Sequence, residues 1–499
     1  MTRAQIRRVA VIGAGISGVV SAAHLLDAGL EVVVFERSHA AGGVWLYDER
    51  RPLEPSYKQL KPLEAEGFFD TDGDGHGGSK VLSHAPPGPC YQGLKNNVST
   101  PLMRVTLNAW PEGTPDFVSH SVMKEYIQDT SRKTRVEDVT IYGARVKNVL
   151  KQGEAWNVTW STLREDGAGV IEQEIDSIFD AVVVASGHYH TPRIPETPGL
   201  AEAKARWPNR IMHSKGYRKP EGFEGKNILL IGGAVSAIDI AREISSQADT
   251  IYQSTRNGEF DIAASILPEN GVRISEIERY EILEDTKTES PDENTALPLP
   301  LKIHLKSGQT LCNVHEIIIC TGYQFTLPFL PEYHNDRLTP AEADERVLVT
   351  DGTQAHNLHK DIFYIPDPTL AFVGVPFYTA TFTLFEFQAI VVANVLSGIA
   401  ELPAESEMRQ EYNERVARKG VGKRFHSLKD IEEAYVDDLL DWVNGFRAER
   451  GLAKIEGHTP TWHQAKEAQR ERLKSFFEDS GSRRDSGIGG LPEVASCTA

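Results

Sequence analysis

Apolar runs and glycine breaks alternate in a fixed order at the start of the chain. Residues 8–12 read RVAVI, the run breaks at Gly13, Gly15 and Gly18, and apolar positions then recur at helical spacing through Val19, Ala22, Ala23 and Leu26. After Gly29 a second apolar run, EVVVFE, ends at Glu36. The pattern predicts strand, turn, helix, strand. It recurs in KNILLIGGAVSAIDIAREI, where Ile238, Ala241 and Ile244 share one helical face and IYQSTRNG follows as the next strand. A third apolar run, HEIIICTG at 315–322, predicts a strand that returns the chain from this second unit. The expected fold class is α/β, with two Rossmann-like dinucleotide-binding domains.

The polar positions give each unit its chemistry. Gly13 permits a tight turn, Gly15 lets the backbone approach a pyrophosphate, and Gly18 lets the helix lie close to the strand, with Ala14, Ile16 and Ser17 completing the loop. The helix start then faces the phosphates with unpaired N–H groups, and Glu36 is placed to accept from a ribose hydroxyl. In the second unit Gly232 and Gly233 remain, but Ala234 and Ala237 stand at the later glycine positions. A methyl at Ala237 still permits close packing, whereas the Cβ of Ala234 pushes a pyrophosphate outward. Ser236 and Asp239 lie on the same turn and helix. The second strand ends in Ser254, Thr255 and Arg256, with no acid in the place of Glu36. An Arg with hydroxyl neighbours suits a 2′-phosphate, so this site is expected to prefer NADPH; the alternative is an Arg on a solvated loop. An acid first and an Arg second point to FAD followed by NADPH, hence a flavoprotein oxidoreductase. On its residues alone AAGGVW at 40–45 reads as a loop with a core Trp45.

Composition narrows the class further. A chain of 499 residues is too long for one core, so two domains are expected. The formal charge of −18 argues against a phosphate-backbone binder, so no nucleic-acid partner is expected. No window has the apolar length of a membrane span, and RVAVIG follows the N-terminus too closely for a signal peptide, so a cytoplasmic protein is expected. Cys90, Cys312, Cys320 and Cys497 have neither redox nor zinc spacing. DTDGDGHGG at 70–78 imitates half a calcium loop, but Val81 stands at the twelfth position where a bidentate Glu is required. Neighbouring His residues in HYH at 188–190 point to opposite sides of an extended segment, so no metal is expected.

The segment WPNRIMHSKGY at 207–217 supplies the remaining signal. With Trp207, His213 and Tyr217 in that spacing, the chain resembles the flavin-containing monooxygenases. Asn209 stands where that family has Gly, and Asn best tolerates left-handed angles after Gly, so the turn is expected to survive. The related Baeyer-Villiger enzymes end the motif with Trp and then Pro or Asp, whereas here Arg218 follows Tyr217. The resemblance covers about residues 6–475 and includes GGVW, YQGLKNNVSTPLM, ASGHYHTPRIP, CTGYQF and FEFQAIVVANVLSG. It implies that Gly43, Val44 and Trp45 lie next to the flavin, that Asn97 is the catalytic side chain, and that Asn96 and Gln388 help hold cofactor. It also implies an interdomain linker at 207–217, with crossings near Ser186–Gly187 and Thr321–Gly322.

The implied domains are FAD-binding at 1–190 and 322–475, NADPH-binding at 207–320, and a disordered tail at 480–499 without a membrane anchor. The implied reaction uses FAD, NADPH and O2, forms a flavin C4a-hydroperoxide, and oxygenates nitrogen or sulfur of a small-molecule or peptide-like metabolite as a biosynthetic tailoring step. A Baeyer-Villiger reaction on a ketone is the alternative, and a non-catalytic nucleotide-binding protein the reading of a different class. Assembly into a homo-oligomer is left open by the sequence.

Overall fold

The protein is described by a computed structural model covering residues 5–57, 62, 77–167, 169–283 and 297–482. The stretch at 70–78 falls almost entirely outside these residues, as do 284–296 and the tail beyond 482. Two parallel sheets dominate. The larger runs Leu358–His359, Phe363–Tyr364, Leu370–Phe372, Ala181–Val184, Arg8–Ile12, Glu31–Glu36 and Thr140–Tyr142, parallel except at the first two strands. Its central strand alternates between two cores: Val9 and Val11 face one, Ala10 and Ile12 the other. Burial on both faces is why these strands read as continuous apolar runs. Helices Ile16–Asp27, Thr381–Leu396 and Glu432–Glu449 contribute to the first core. An antiparallel sheet of Arg145–Gln152, Ala155–Asp166 and Gly169–Phe179 covers the other, filling it with Trp156, Trp160 and Phe179.

The smaller sheet runs Gly271–Ile274, Thr250–Ser254, Asn227–Ile231, Glu316–Ile319 and Ile211–His213, all parallel. Helix Val235–Ile244 packs on one face. The other face carries the strands Ile277–Ile282, Leu301–Leu305 and Thr310–Leu311, together with Leu200 and Ala203 of helix Leu200–Arg206. The chain passes between the two sheets twice, and the passages pair with each other: Thr191–Pro192 lies antiparallel to Tyr323–Gln324. Arg193 N–H donates to Gly322 O at 2.9 Å, so each crossing braces the other.

The turn before Ile211–His213 departs from expectation. Arg210 N–H donates to Trp207 O at 3.2 Å, closing a four-residue turn with Pro208 and Asn209 at its centre. Asn209 is not among the residues with positive φ, so it does not adopt the left-handed angles its place in the motif suggested. A type I turn keeps both central residues right-handed and favours Pro at the first of them, which removes the demand for Gly.

Candidate active site

A single cleft of about 2540 Å³ opens between the two sheets and reaches both glycine turns. At the first turn Gly13 has φ +104°, and a Cβ there would meet Ala185 O at 2.7 Å. A Cβ on Gly18 would stand 1.8 Å from Gly13 O, so that glycine permits the helix to reach the strand. Gly42 N–H donates to Ala14 O at 3.0 Å and brings the Gly43–Trp45 turn onto the first loop. There a Cβ on Gly43 would lie 2.9 Å from Gly15 Cα. The two turns thus form a cradle of bare backbone. Helix Ile16–Asp27 starts in it with Gly15 as N-cap and no side-chain acceptor on its first amides. Glu36, at the cleft wall, accepts from Ala14 N–H and Ser38 N–H at 2.7 Å each, which orients its carboxylate.

The second turn repeats this with differences. Gly232 has φ +130°, and a Cβ would meet Cys320 O at 2.4 Å. Ala234 caps helix Val235–Ile244 without a side-chain acceptor, again leaving the first amides open. The carboxyl carbon of Asp261 lies 2.4 Å from where a Cβ of Gly233 would stand, so the loop after Arg256 folds back over the turn. Ser254 Oγ donates to Ser275 O at 2.9 Å, and Thr255 Oγ1 bonds Asn257. Arg256 is exposed in the cleft with no hydrogen bond or ion pair among the described residues. Both turns fit a pyrophosphate by the same test: backbone held where a Cβ would intrude, under an uncapped helix start.

Neighbouring asparagines take opposite roles. Asn96 is buried; its Nδ2 donates to Val98 O at 2.7 Å and Asp116 O at 2.8 Å, and its Oδ1 accepts from Val118 N–H at 2.6 Å. With its amide spent on backbone, Asn96 builds the turn that presents Asn97. Asn97 is exposed in the cleft and makes no side-chain hydrogen bond among the described residues. Gln388, fully buried, accepts from Gly374 N–H at 3.0 Å and donates to Tyr435 Oη at 2.8 Å, so it braces the loop behind the cleft rather than lining it. Ser17, Val44, Trp45, Ser236 and Asp239 line the cleft; Ala14, Gly18 and Ala237 lie beneath it.

The 207–217 segment also stands behind the cleft. Trp207 is buried in the core of the smaller sheet. His213 accepts from Lys215 N–H at Nδ1 (3.1 Å), which places the ring proton on Nε2 for donation to Gly322 O at 3.1 Å. Burial pulls its pKa down to about 3, so it is a neutral strut from the smaller sheet to the second crossing. Tyr217 Oη donates to Glu243 Oε2 at 2.7 Å, and burial raises the pKa of that carboxyl.

Several contributors carry no motif. His190, in the HYH run, accepts at Nδ1 from Arg37 Nη2 at 2.7 Å and donates from Nε2 to Ser186 O. Burial, then the charges of Arg37 and Lys215, hold its pKa well below the usual range. Among the described residues no group of three or more His, Cys, Asp and Glu is placed to hold a metal ion. Arg218, buried, donates to the carbonyls of Arg50, Gly88, Cys90, Lys215 and Tyr217, tying the linker to the segment before Asn97. Tyr91 Oη donates to Asp239 at 3.0 Å and joins that segment to the second helix. Phe260 and Tyr378 stack at 5.9 Å on the cleft wall. The HYH, Tyr217–Arg218 and YQGLKNN sequences hinted at some of these residues, but not at their pairings, because the partners are far apart in the chain.

Residues 6–54, 80–272 and 303–451 match the family described as flavin-binding monooxygenase-like. The chain is 54% identical to the flavin-containing monooxygenase ustF2 of Aspergillus flavus, over 95% of this chain and 99% of that one. It is 42% identical to ustF1 of the same fungus, over 100% and 98%. Its structure is similar to that of the S-allyl-L-cysteine S-oxygenase of Allium sativum, with a TM-score of 0.66 and 25% identity over 96% of this chain and 98% of that one. With these relatives over nearly its whole length and two cradles that fit FAD and NADPH, the chain belongs to the flavin-binding monooxygenase family.

Proposed function

We propose that this monooxygenase places one oxygen atom of O2 on a nitrogen or sulfur of a small or peptide-like metabolite, in a biosynthetic tailoring step in the cytoplasm. The observation that carries the reading is the likeness to an S-oxygenase across 96% of the chain. We place FAD on the larger sheet (1–190 and 322–475) and NADPH on the smaller (207–320).

FAD, reduced by NADPH, supplies the oxygen activation when bound. The protein's part is to bind and orient. Gly13, Gly15, Gly43 and the amides at Ile16 would hold the FAD pyrophosphate, and Glu36 a ribose hydroxyl. Gly232, Gly233 and the amides at Val235 would hold the NADPH pyrophosphate, with Arg256 at the 2′-phosphate. Asn97, whose amide both donates and accepts, would orient groups where the two cofactors meet. His213 and the paired crossings fix the two sheets against each other, and so would hold the two bound cofactors in a set relation.

The test is to purify the protein, record its flavin spectrum, and follow NADPH and O2 consumption with amines, thioethers, thiols and ketones while locating the added oxygen by mass spectrometry. N- or S-oxides are expected. Esters from ketones would replace the reading with Baeyer-Villiger chemistry, and NADPH oxidation without oxygenated product from any class would overturn it.

A further inference from the structure

Three cations from three separate segments gather at one part of the cleft. Arg256 follows strand Thr250–Ser254, Arg193 follows Thr191–Pro192, and Lys423 follows helix Glu405–Lys419; all three line the cleft. The Lys423 ammonium lies 4.6 Å above the ring of Phe260, a few residues past Arg256. Its neighbour Arg424 pairs through Nε with Glu259 of the same loop. The segment carrying Lys423 is fixed from behind. Gly422 N–H donates to buried Gln354 Oε1 at 2.7 Å, and Lys419 Nζ donates to Ser427 O at 2.7 Å. Lys423 is therefore held against the loop that carries Arg256, although 167 positions separate the two residues.

Two of the three cations stand without an ion pair among the described residues, although Asp261 attracts Lys423 and Asp351 attracts Arg193. Neither Arg256 nor Lys423 has an ion pair with an acid among the described residues, and Asp261 and Asp351 have oxygens already committed to Gly258 N–H and to Thr353. Burial, then repulsion from Arg193 and Arg256, lowers the pKa of Lys423 against the attraction of Asp261; burial and Arg256 lower that of Arg193 against the attraction of Asp351. Like charges held together in a partly desolvated wall are costly until an anion completes them.

We propose that Lys423 is a specificity-determining residue for the dinucleotide, closing with Arg256 and Arg193 around its 2′-phosphate. The proposal rests on the second turn being the NADPH site. It adds a cation contributed by the C-terminal half of the chain, so the phosphate is gripped from both sides of the cleft. A single Arg on the smaller sheet would grip it from one side only.

The experiment uses the full-length, FAD-loaded protein and isothermal titration with adenosine 2′,5′-bisphosphate and with adenosine 5′-diphosphate, alongside the NADPH and NADH Michaelis constants. Lys423→Gln should weaken the 2′,5′-bisphosphate about ten-fold or more and the 5′-diphosphate by less than about two-fold, with the NADPH Michaelis constant rising in parallel. Lys423→Arg, which keeps the charge and the contact with Phe260, should recover most of the loss. Arg256→Ala separates the two levels of the argument. If it weakens the 2′,5′-bisphosphate and Lys423→Gln does not, the proposal is overturned while the NADPH reading of the turn stands. If neither variant discriminates between the two probes, that reading falls as well. Equal weakening of both probes by Lys423→Gln, or a rise confined to the Michaelis constant of the oxygenated substrate, would also overturn the proposal.

Discussion

At the scale of single residues the cleft depends on where a Cβ is absent and where an amide is left unspent. Gly15 faces Gly43 across the first cradle, with 3.5 Å between its would-be Cβ and Gly43 Cα. A branched side chain would fill that gap while leaving strand and helix intact, so Gly15→Val should yield a folded protein that loses its flavin on gel filtration. Flavin retained at wild-type stoichiometry would show that the pyrophosphate lies elsewhere. Asn97 makes the complementary case. Because the side-chain hydrogen bonds of this pair among the described residues are made by Asn96 and not by Asn97, Asn97→Leu removes a polar group from the cleft without removing one from the fold. It should consume NADPH at a rate within about ten-fold of wild type but release hydrogen peroxide in place of most of the oxygenated product, since the two steps need different geometry. Product per NADPH is the measurement, and unchanged coupling would return Asn97 to the role of a turn residue.

At the scale of elements the deciding feature is the pair of crossings and the strand Ile211–His213 that supports them. His213 satisfies Lys215 N–H with one nitrogen and Gly322 O with the other, and its ring packs edge-on to Tyr323 at 5.4 Å. His213→Ala leaves the buried Lys215 N–H without its partner and takes one of two donors from Gly322 O, which keeps Arg193 N–H, a loss on the order of 1 to 3 kcal/mol. Part of this will be recovered by water. Chemical denaturation should show the lower stability, and the NADPH Michaelis constant should rise because the second crossing no longer fixes the smaller sheet against the larger. A Michaelis constant unchanged beside a clear stability loss would make His213 a packing residue only.

At the scale of the molecule, burial has drawn several histidines out of their usual range. His213 and His458 are pulled down to about 3, and His188, His356 and His359 to about 4, burial being the first cause in each. These rings stay neutral in the folded protein but protonate near pH 6.5 when it unfolds, so the unfolded state binds more protons as pH falls below that value. Stability should therefore be full above about pH 6.5 and decline as pH drops toward 4, by up to about 1.4 kcal/mol per pH unit for each such histidine. Asp361, held low by Arg415 and His426 against its own burial, adds a further loss in strong acid. Melting temperatures from pH 7.5 to 4.5 test this, and a flat profile would mean that these rings are hydrated.

Short-range patterning determined the two strand–turn–helix units, the α/β class and most glycine positions of both turns. Continuous apolar runs, helical spacing and residues without a Cβ act within a few positions of one another. The Asn96–Asn97 pair and the 207–217 segment were legible only through family resemblance, and their division of labour was not. Which Asn is spent on backbone, that Gln388 braces a loop behind the cleft, and that Trp207 is core were decided by packing between segments remote in sequence. The same holds for the cation cluster. Arg256 stands out in the sequence by its place after the second strand, but Arg193 and Lys423 are ordinary surface residues there, and a charge becomes a site only when the fold sets others beside it and removes water from around them. Local order is encoded by neighbours in the chain; the electrostatics of the cleft arise from neighbours in space.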